Sequence, residues 1–189
     1  MLTYLNQDRL IKKFIKGNKR AFDTLYAQYC DAMYTICLRY TKNEDEAADI
    51  LQDAFIKIYE KRELFDPQYQ IGAWIKRIVI NEAINHYRQN KKFELVEDEG
   101  FFEEEETIEL SIDEKQDVKE ILNQILDELP DGYRMVFNLY VFENLTHNEI
   151  AEYLKVSPNT SKTQLSKARK MIKRKLEEKQ ITRFTLANG

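Results

Sequence analysis

The residues of this chain best suited to chemistry lie between Thr146 and Lys175, and the chemistry they suit is neutralisation of phosphate. From Ser157 to Leu176 there are seven bases, Lys162, Lys167, Arg169, Lys170, Lys173, Arg174 and Lys175, and no acid. A helix carrying such a run suits a phosphate-lined groove, where it releases the counterions condensed on nucleic acid. Pro158, Asn159, Thr160, Lys162, Thr163 and Ser166 fall in the first turns of that helix, the part of a recognition helix that reaches base edges. Lys167, Arg169 and Lys170 follow, better placed for phosphates. Charge alone would equally describe the solvated face of a structural helix, so the segment before it decides.

That segment reads as the first half of a helix-turn-helix. Thr146-His147-Asn148-Glu149 has the form of a capping box, opening a short helix with Ile150, Ala151 and Leu154 inward. Lys155-Val156-Ser157 is a three-residue turn, and Ser157-Pro158 supplies an N-cap followed by proline at the first helical position. The small Ala151 allows the second helix to cross closely, and Val156 and Leu165 fill the corner between the two helices. Two positions depart from the usual pattern. Lys155 stands where the turn usually has glycine and must enter a left-handed conformation at roughly 1 kcal/mol. Ser161 stands where an apolar residue normally packs.

Catalytic chemistry finds no comparable set of residues. There is no phosphate-cradling glycine loop, no metal-ligand cluster and no nucleophile motif. The acids between Asp45 and Asp53 read as solvent or partner contacts on a helix face rather than as metal ligands. Cys30 and Cys37 lie two helical turns apart, too far for a disulfide, and the histidines, His86 and His147, sit in no ligand pattern, so two semi-buried thiols are expected. Neither a catalytic residue, a metal, a cofactor nor a small-molecule substrate is indicated.

The elements that must position these residues are helical. Five glycines and three prolines among 189 residues leave too few turn formers for a many-stranded β fold. No apolar run approaches the roughly 20 residues that span a bilayer, and the first residues lack the apolar stretch of a signal peptide, so a cytoplasmic protein is expected. From Asp8 to about Gln89 apolar residues recur at helical spacing, giving four helices, a short first one near Asp8 to Lys16. The third carries the clearest stripe, Ala47, Ile50, Leu51, Ala54, Phe55, Ile58 and Tyr59, behind a capping box at Asn43 and Glu46. A loop from Phe65 to Gln70 leads to the fourth, about Ile71 to Arg88.

Charge is segregated along the chain. Residues 94–120 hold 13 acids against Lys115 and Lys119, net -11, which leaves 20 acids and 27 bases elsewhere, net +7. Like-charge repulsion should keep the segment from Lys91 to about Ser111 extended, with Phe101-Phe102 as an apolar point within it. Ser111 and Glu114 form a further capping box before the stripe Val118, Ile121, Leu122, Ile125, Leu126 and Leu129. Pro130 ends that helix, and Tyr133, Val136, Phe137 and Tyr140 mark the next. The architecture is all-α, two small helical domains joined by an acidic flexible linker, with a helix-turn-helix in the C-terminal domain.

Several stretches together resemble the extracytoplasmic-function (ECF) sigma factors of bacterial RNA polymerase. Leu129-Pro130 with Tyr133 to Phe137, Leu145-Thr146, Glu149 to Ala151 and Ser166 to Arg169 are similar to the fourth region of that family. Ala21-Phe22, Leu25-Tyr26, Asp45 to Ala47, Leu51 to Phe55, Ala73 to Ile75, Asn81 to Ala83 and Tyr87-Arg88 are similar to its second region. The resemblance implies a region 2 domain at 1–92, a linker at 93–112 threaded toward the polymerase active site, and a region 4 domain at 113–189. It implies docking of Asp49, Gln52, Asp53 and Ile56 on the clamp helices of the largest polymerase subunit. Capture of the melted minus-ten element would fall to the fourth helix and the loop before it, with Trp74, Lys76, Arg77, Asn81, Asn85 and Arg88. Trp74, at the start of an apolar stripe, suits either core or stacking platform, and Asn85 stands where relatives often carry aspartate. The helix-turn-helix would read the minus-thirty-five element. Core RNA polymerase, promoter DNA and an anti-sigma factor, membrane-associated, are the implied partners. The alternative is a DNA-binding regulator that never docks on polymerase.

Overall fold

The structure, a computed structural model, describes residues 2–41, 43–90 and 116–179, and among these there is no strand. The chain divides into two compact units, 1–92 and 93–189. The acidic segment, with Phe101-Phe102 and the capping box expected at Ser111 and Glu114, lies outside the described residues.

The N-terminal unit contains α1 (Leu2–Ile15), α2 (Lys19–Tyr40), α3 (Glu44–Glu60), a 3-10 turn (Arg62–Leu64) and α4 (Ile71–Asn90). The first helix begins at Leu2 rather than near Asp8, since no glycine or proline precedes Asp8 to stop it. Gly17, at φ +77°, ends α1 in the left-handed conformation that glycine adopts without steric cost. Asn18 then caps α2 by accepting from the Ala21 amide at 3.0 Å. Helices α2, α3 and α4 pack on one another, with α1 against α2.

The stripe read from α3 is inward: Ala47, Ile50, Leu51, Ala54, Phe55 and Ile58 are buried, with Tyr59 at the margin. Asn43 caps α3 through the Asp45 amide at 2.8 Å. Glu46 accepts from the Thr41 hydroxyl instead of returning to the Asn43 amide, so the expected reciprocal box is half made. Phe14 is fully buried and meets Phe22 and Trp74 at ring distances of 6.3 and 6.5 Å, forming an aromatic centre over α4. Cys37 is buried and Cys30 is half-buried; both are free thiols, and burial pushes the Cys37 thiol up to about 12.

The C-terminal unit contains α5 (Gln116–Glu128), α6 (Asp131–Val141), α7 (His147–Leu154) and α8 (Pro158–Glu178). Pro130 stands between α5 and α6 in an extended conformation, φ -53° and ψ 141°, which ends one helix and starts the next. Helices α5, α6 and α7 all pack on α8. The core draws on each: Ile125 and Leu129, Phe137 and Leu139, Ile150 and Leu154, Leu165 and Ile172. Arg134 is buried at the start of α6 with Asp131 at 3.3 Å and Asp127 at 3.8 Å, the pairing a buried guanidinium requires. An ion pair of Lys175 with Glu128 ties the end of α8 to α5 and holds the Glu128 carboxyl below its usual range.

Candidate nucleic-acid interface

In the C-terminal unit the turn between α7 and α8 sets the direction of the basic helix. Thr146 and Glu149 make the reciprocal capping box: the Thr146 hydroxyl accepts from the Glu149 amide at 3.3 Å, and the Glu149 carboxylate accepts from the Thr146 amide at 2.8 Å. These bonds hold the Glu149 carboxyl below its usual range. Lys155 adopts the left-handed conformation, φ 56° and ψ 46°, and the Val156 amide bonds back to the Ala151 carbonyl at 3.1 Å. Ser157 caps α8 through the Thr160 amide at 2.9 Å, and Pro158 takes the first helical position. Lys155→Gly should therefore stabilise the protein by about 1 kcal/mol, since glycine removes the left-handed penalty; a thermal melt shifted upward checks it.

With the turn so made, α8 buries Ser161, Gln164, Leu165, Ala168, Ile172 and Leu176. Pro158, Asn159, Thr160, Lys162, Thr163, Ser166, Lys167, Arg169 and Lys170 all fall outside that buried set, on the remaining arc. Asn159, Lys162, Ser166 and Lys170 are exposed, whereas Thr160, Thr163, Lys167 and Arg169 are half-buried. The Thr160 hydroxyl is shared with the Ser157 hydroxyl at 2.8 Å, so part of its hydrogen-bonding capacity serves the cap.

Three residues outside the expected set, Ser161, His147 and Tyr140, support this face. Ser161 is fully buried, and its hydroxyl meets His147 Nδ1 at 2.9 Å, so the polar atom in the core has a partner. The His147 ring stacks on Tyr140 at 4.8 Å, and the Arg169 guanidinium lies 5.5 Å from the centre of the Tyr140 ring. This layering of α6, α7 and α8 is not readable from spacing, because Tyr140 and His147 have no periodic relation to Arg169.

In the N-terminal unit the expected strand-capturing residues sit on α4. With an advance of about 100° per residue, Trp74, Arg77, Asn81, Asn85 and Arg88 fall within an arc of about 80°, and Lys76 falls about 140° from its middle. The structure thus gathers five of the six on one face. Arg77 is exposed, and Asn81, Asn85, Arg88 and Trp74 are half-buried. Trp74 packs its ring against Phe65 at 5.2 Å as well as Phe14, which places much of it in the core. In the loop before α4, Tyr69 is 66% exposed, an aromatic surface on the same side of the sequence as Trp74.

The residues expected to dock on polymerase share one exposed stripe of α3. Asp49, Gln52 and Asp53 are exposed, and Ile56 is 48% exposed, high for a large apolar side chain. Gln52 and Ile56 also line a groove of about 610 Å³ between α2 and α3, with Phe22, Tyr26, Leu51 and Phe55 as its apolar walls. Tyr26, 42% exposed, is a groove residue that the sequence did not single out as a contact. A groove forms only when two helices meet, so no single-helix period reports it. Among the described residues no group of three or more His, Cys, Asp or Glu could hold a metal ion, and no helix is long and apolar enough to cross a membrane.

Known families match both units. Sigma-70 region 2 matches residues 25–93 and sigma-70 region 4 matches residues 119–172. RNA polymerase sigma factor SigV of Bacillus subtilis is 33% identical over 151 residues, covering 79% of this chain and 87% of SigV. The ECF RNA polymerase sigma factor SigW of the same organism is 28% identical over 184 residues, covering 89% and 95%. The chain belongs to the ECF sigma factors. The fold of this sigma factor is similar to that of RpoE from Bartonella quintana, solved with the anti-sigma factor NepR, at a TM-score of 0.51 and 21% identity. That likeness covers 82% of the sigma factor and 96% of the RpoE chain. The all-α architecture expected from the sequence is therefore that of the sigma factor's structural neighbours.

Proposed function

We propose that this ECF sigma factor recruits core RNA polymerase to promoter DNA and acts by binding alone. In this reading residues 1–92 dock on the polymerase and open the minus-ten element, 93–112 form the tether, and 113–189 read the minus-thirty-five element. The observation that carries it is the C-terminal turn: a capped α7, a left-handed Lys155 and a capped α8 leave outward a basic face that is free of acids as far as Leu176. Asn159, Lys162 and Ser166 then reach base edges, while Lys167, Arg169 and Lys170 neutralise phosphates.

On α4, Arg77 and Arg88 offer a basic track to the unpaired strand, and Asn81 and Asn85 offer hydrogen bonds to its bases. The exposed edge of Trp74 gives a limited stacking surface, and Lys76 supports the track from the side. On α3, Asp49, Gln52 and Asp53 form a polar rim around Ile56, the mixture of apolar centre and polar edge that suits a protein contact. Two family regions in one chain favour polymerase docking over an independent regulator. The NepR complex of the Bartonella protein suggests an anti-sigma partner here too, and the family resemblance adds that this partner is membrane-associated. The sigma factor would act in the cytoplasm, where polymerase and chromosome lie, and needs no cofactor for binding.

The test is reconstitution with core RNA polymerase stripped of other sigma factors, on a pool of duplex DNA from the source genome. Transcripts starting at discrete sites, absent from core enzyme alone, are the expected result. DNA binding without initiation would reduce the protein to a plain regulator.

A further inference from the structure

On α4 one buried carboxylate is aimed at a residue of the strand-capturing face. Glu82 is buried against α3, where Lys57 donates to its Oε2. Its other oxygen, Oε1, accepts from Asn85 Nδ2 at 3.3 Å. A carboxylate has no hydrogen to give, so the Asn85 amide can face it only with its NH2 side. Nδ2 and Oδ1 diverge from one carbon, and turning the first inward turns the second out. Asn85 lies within the arc shared by Trp74, Arg77, Asn81 and Arg88, so the group presented beyond that arc is an acceptor.

We infer that Glu82 is a positioning residue that fixes the Asn85 amide, and that Asn85 thereby selects an amino-bearing base over a keto-bearing one in the opened strand. Adenine and cytosine carry an exocyclic NH2 at the 6 and 4 positions, where guanine and thymine carry a carbonyl oxygen. At that exocyclic position the Asn85 Oδ1 accepts from the first pair and repels the second. Without Glu82 the amide turns over at little cost and reads either class. Lys57 neutralises Glu82 and keeps it seated, acting on the oxygen that Asn85 does not use. The inference rests on the proposal that α4 meets the minus-ten strand.

The experiment uses holoenzyme made from the full chain and core RNA polymerase, with duplex DNA randomised across the minus-ten element. Open complexes are recovered and sequenced. Wild type should enrich adenine or cytosine over guanine or thymine at one position by roughly 5-fold, the ratio that a single net hydrogen bond supports. Replacement E82Q should bring that ratio to within about twofold of unity, because a side-chain amide in place of the carboxylate accepts or donates and no longer dictates how Asn85 turns. The double replacement E82Q/N85D should restore it, since the introduced amide then donates to a carboxylate whose outer oxygen can only accept. If E82Q does not fold, E82D, one methylene short of Asn85, provides the same loss.

A ratio that survives both E82Q and E82D, while N85A removes it, overturns the role of Glu82 and leaves the DNA contact of Asn85 standing. If N85A changes no position, the DNA contact itself falls and the inference falls with it.

Discussion

Replacing Asp49 and Asp53 with lysine should reduce the affinity for core RNA polymerase by at least about 100-fold. Both carboxylates are exposed on the α3 stripe that also carries Gln52 and Ile56. A contact complementary to two acids becomes a juxtaposition of like charges, which costs several kcal/mol, and every 1.4 kcal/mol is a factor of about ten. The helix itself should not suffer. Asp49 and Asp53 are already a like-charged pair one turn apart, and the double reversal substitutes one such pair for another. Circular dichroism should therefore be unchanged while binding, followed by polymerase pull-down or anisotropy, is lost. Retained binding at unchanged helicity would remove α3 from the polymerase interface.

The second large effect is expected on α8. Lys162→Ala with Arg169→Ala should weaken holoenzyme binding to its recovered promoter DNA on the order of tenfold or more. The slope of log affinity against log salt should fall by roughly 2, about 0.9 for each phosphate contact removed. Lys162 is exposed, so its loss is one of charge. Arg169 is half-buried against the Tyr140 ring, which limits the conformations it must give up on binding. Arg169→Lys alone should then recover the charge and most of the slope, but less of the affinity, because an ammonium lacks the planar stacking of a guanidinium. An unchanged slope for the double variant would move the DNA contact off this helix.

Local geometry was legible in the sequence wherever a backbone requirement matches one residue type. The capping box at Thr146, the N-cap and proline at Ser157-Pro158 and the break at Pro130 are of this kind, and all three stand in the structure. The left-handed Lys155 was legible too, although its residue type argues against it, because the helix pattern on both sides leaves the turn no other form. At Asn43 the same reasoning gave only half the answer. Thr41, outside the motif, competes for Glu46, and a pattern of four residues does not include its competitors.

The candidate sites divide in the same way. Which residues lie on the outer arc of α8 or the stripe of α3 follows from the 3.6-residue period once the helices are assigned. What each side chain faces does not, because contacts between helices join residues of unrelated spacing. Ser161 is a polar residue out of place along the chain, and only the position of His147, 2.9 Å away on α7, accounts for it. Trp74 suits core or platform by its spacing, and only Phe14 and Phe65 around it decide how much of the ring is left to stack.

By itself, then, the sequence determined the number of helices, the caps and breaks at Thr146, Ser157 and Pro130, the segregation of charge and the order of the two regions, all of which depend on near neighbours in the chain. The tertiary structure alone decided the apolar groove between α2 and α3, the stack that carries Arg169 and the seating of Glu82 against Lys57 of α3. Each requires side chains from separate turns or helices to meet, and hydrogen bonds and ring contacts act over a few ångströms of space rather than along the chain.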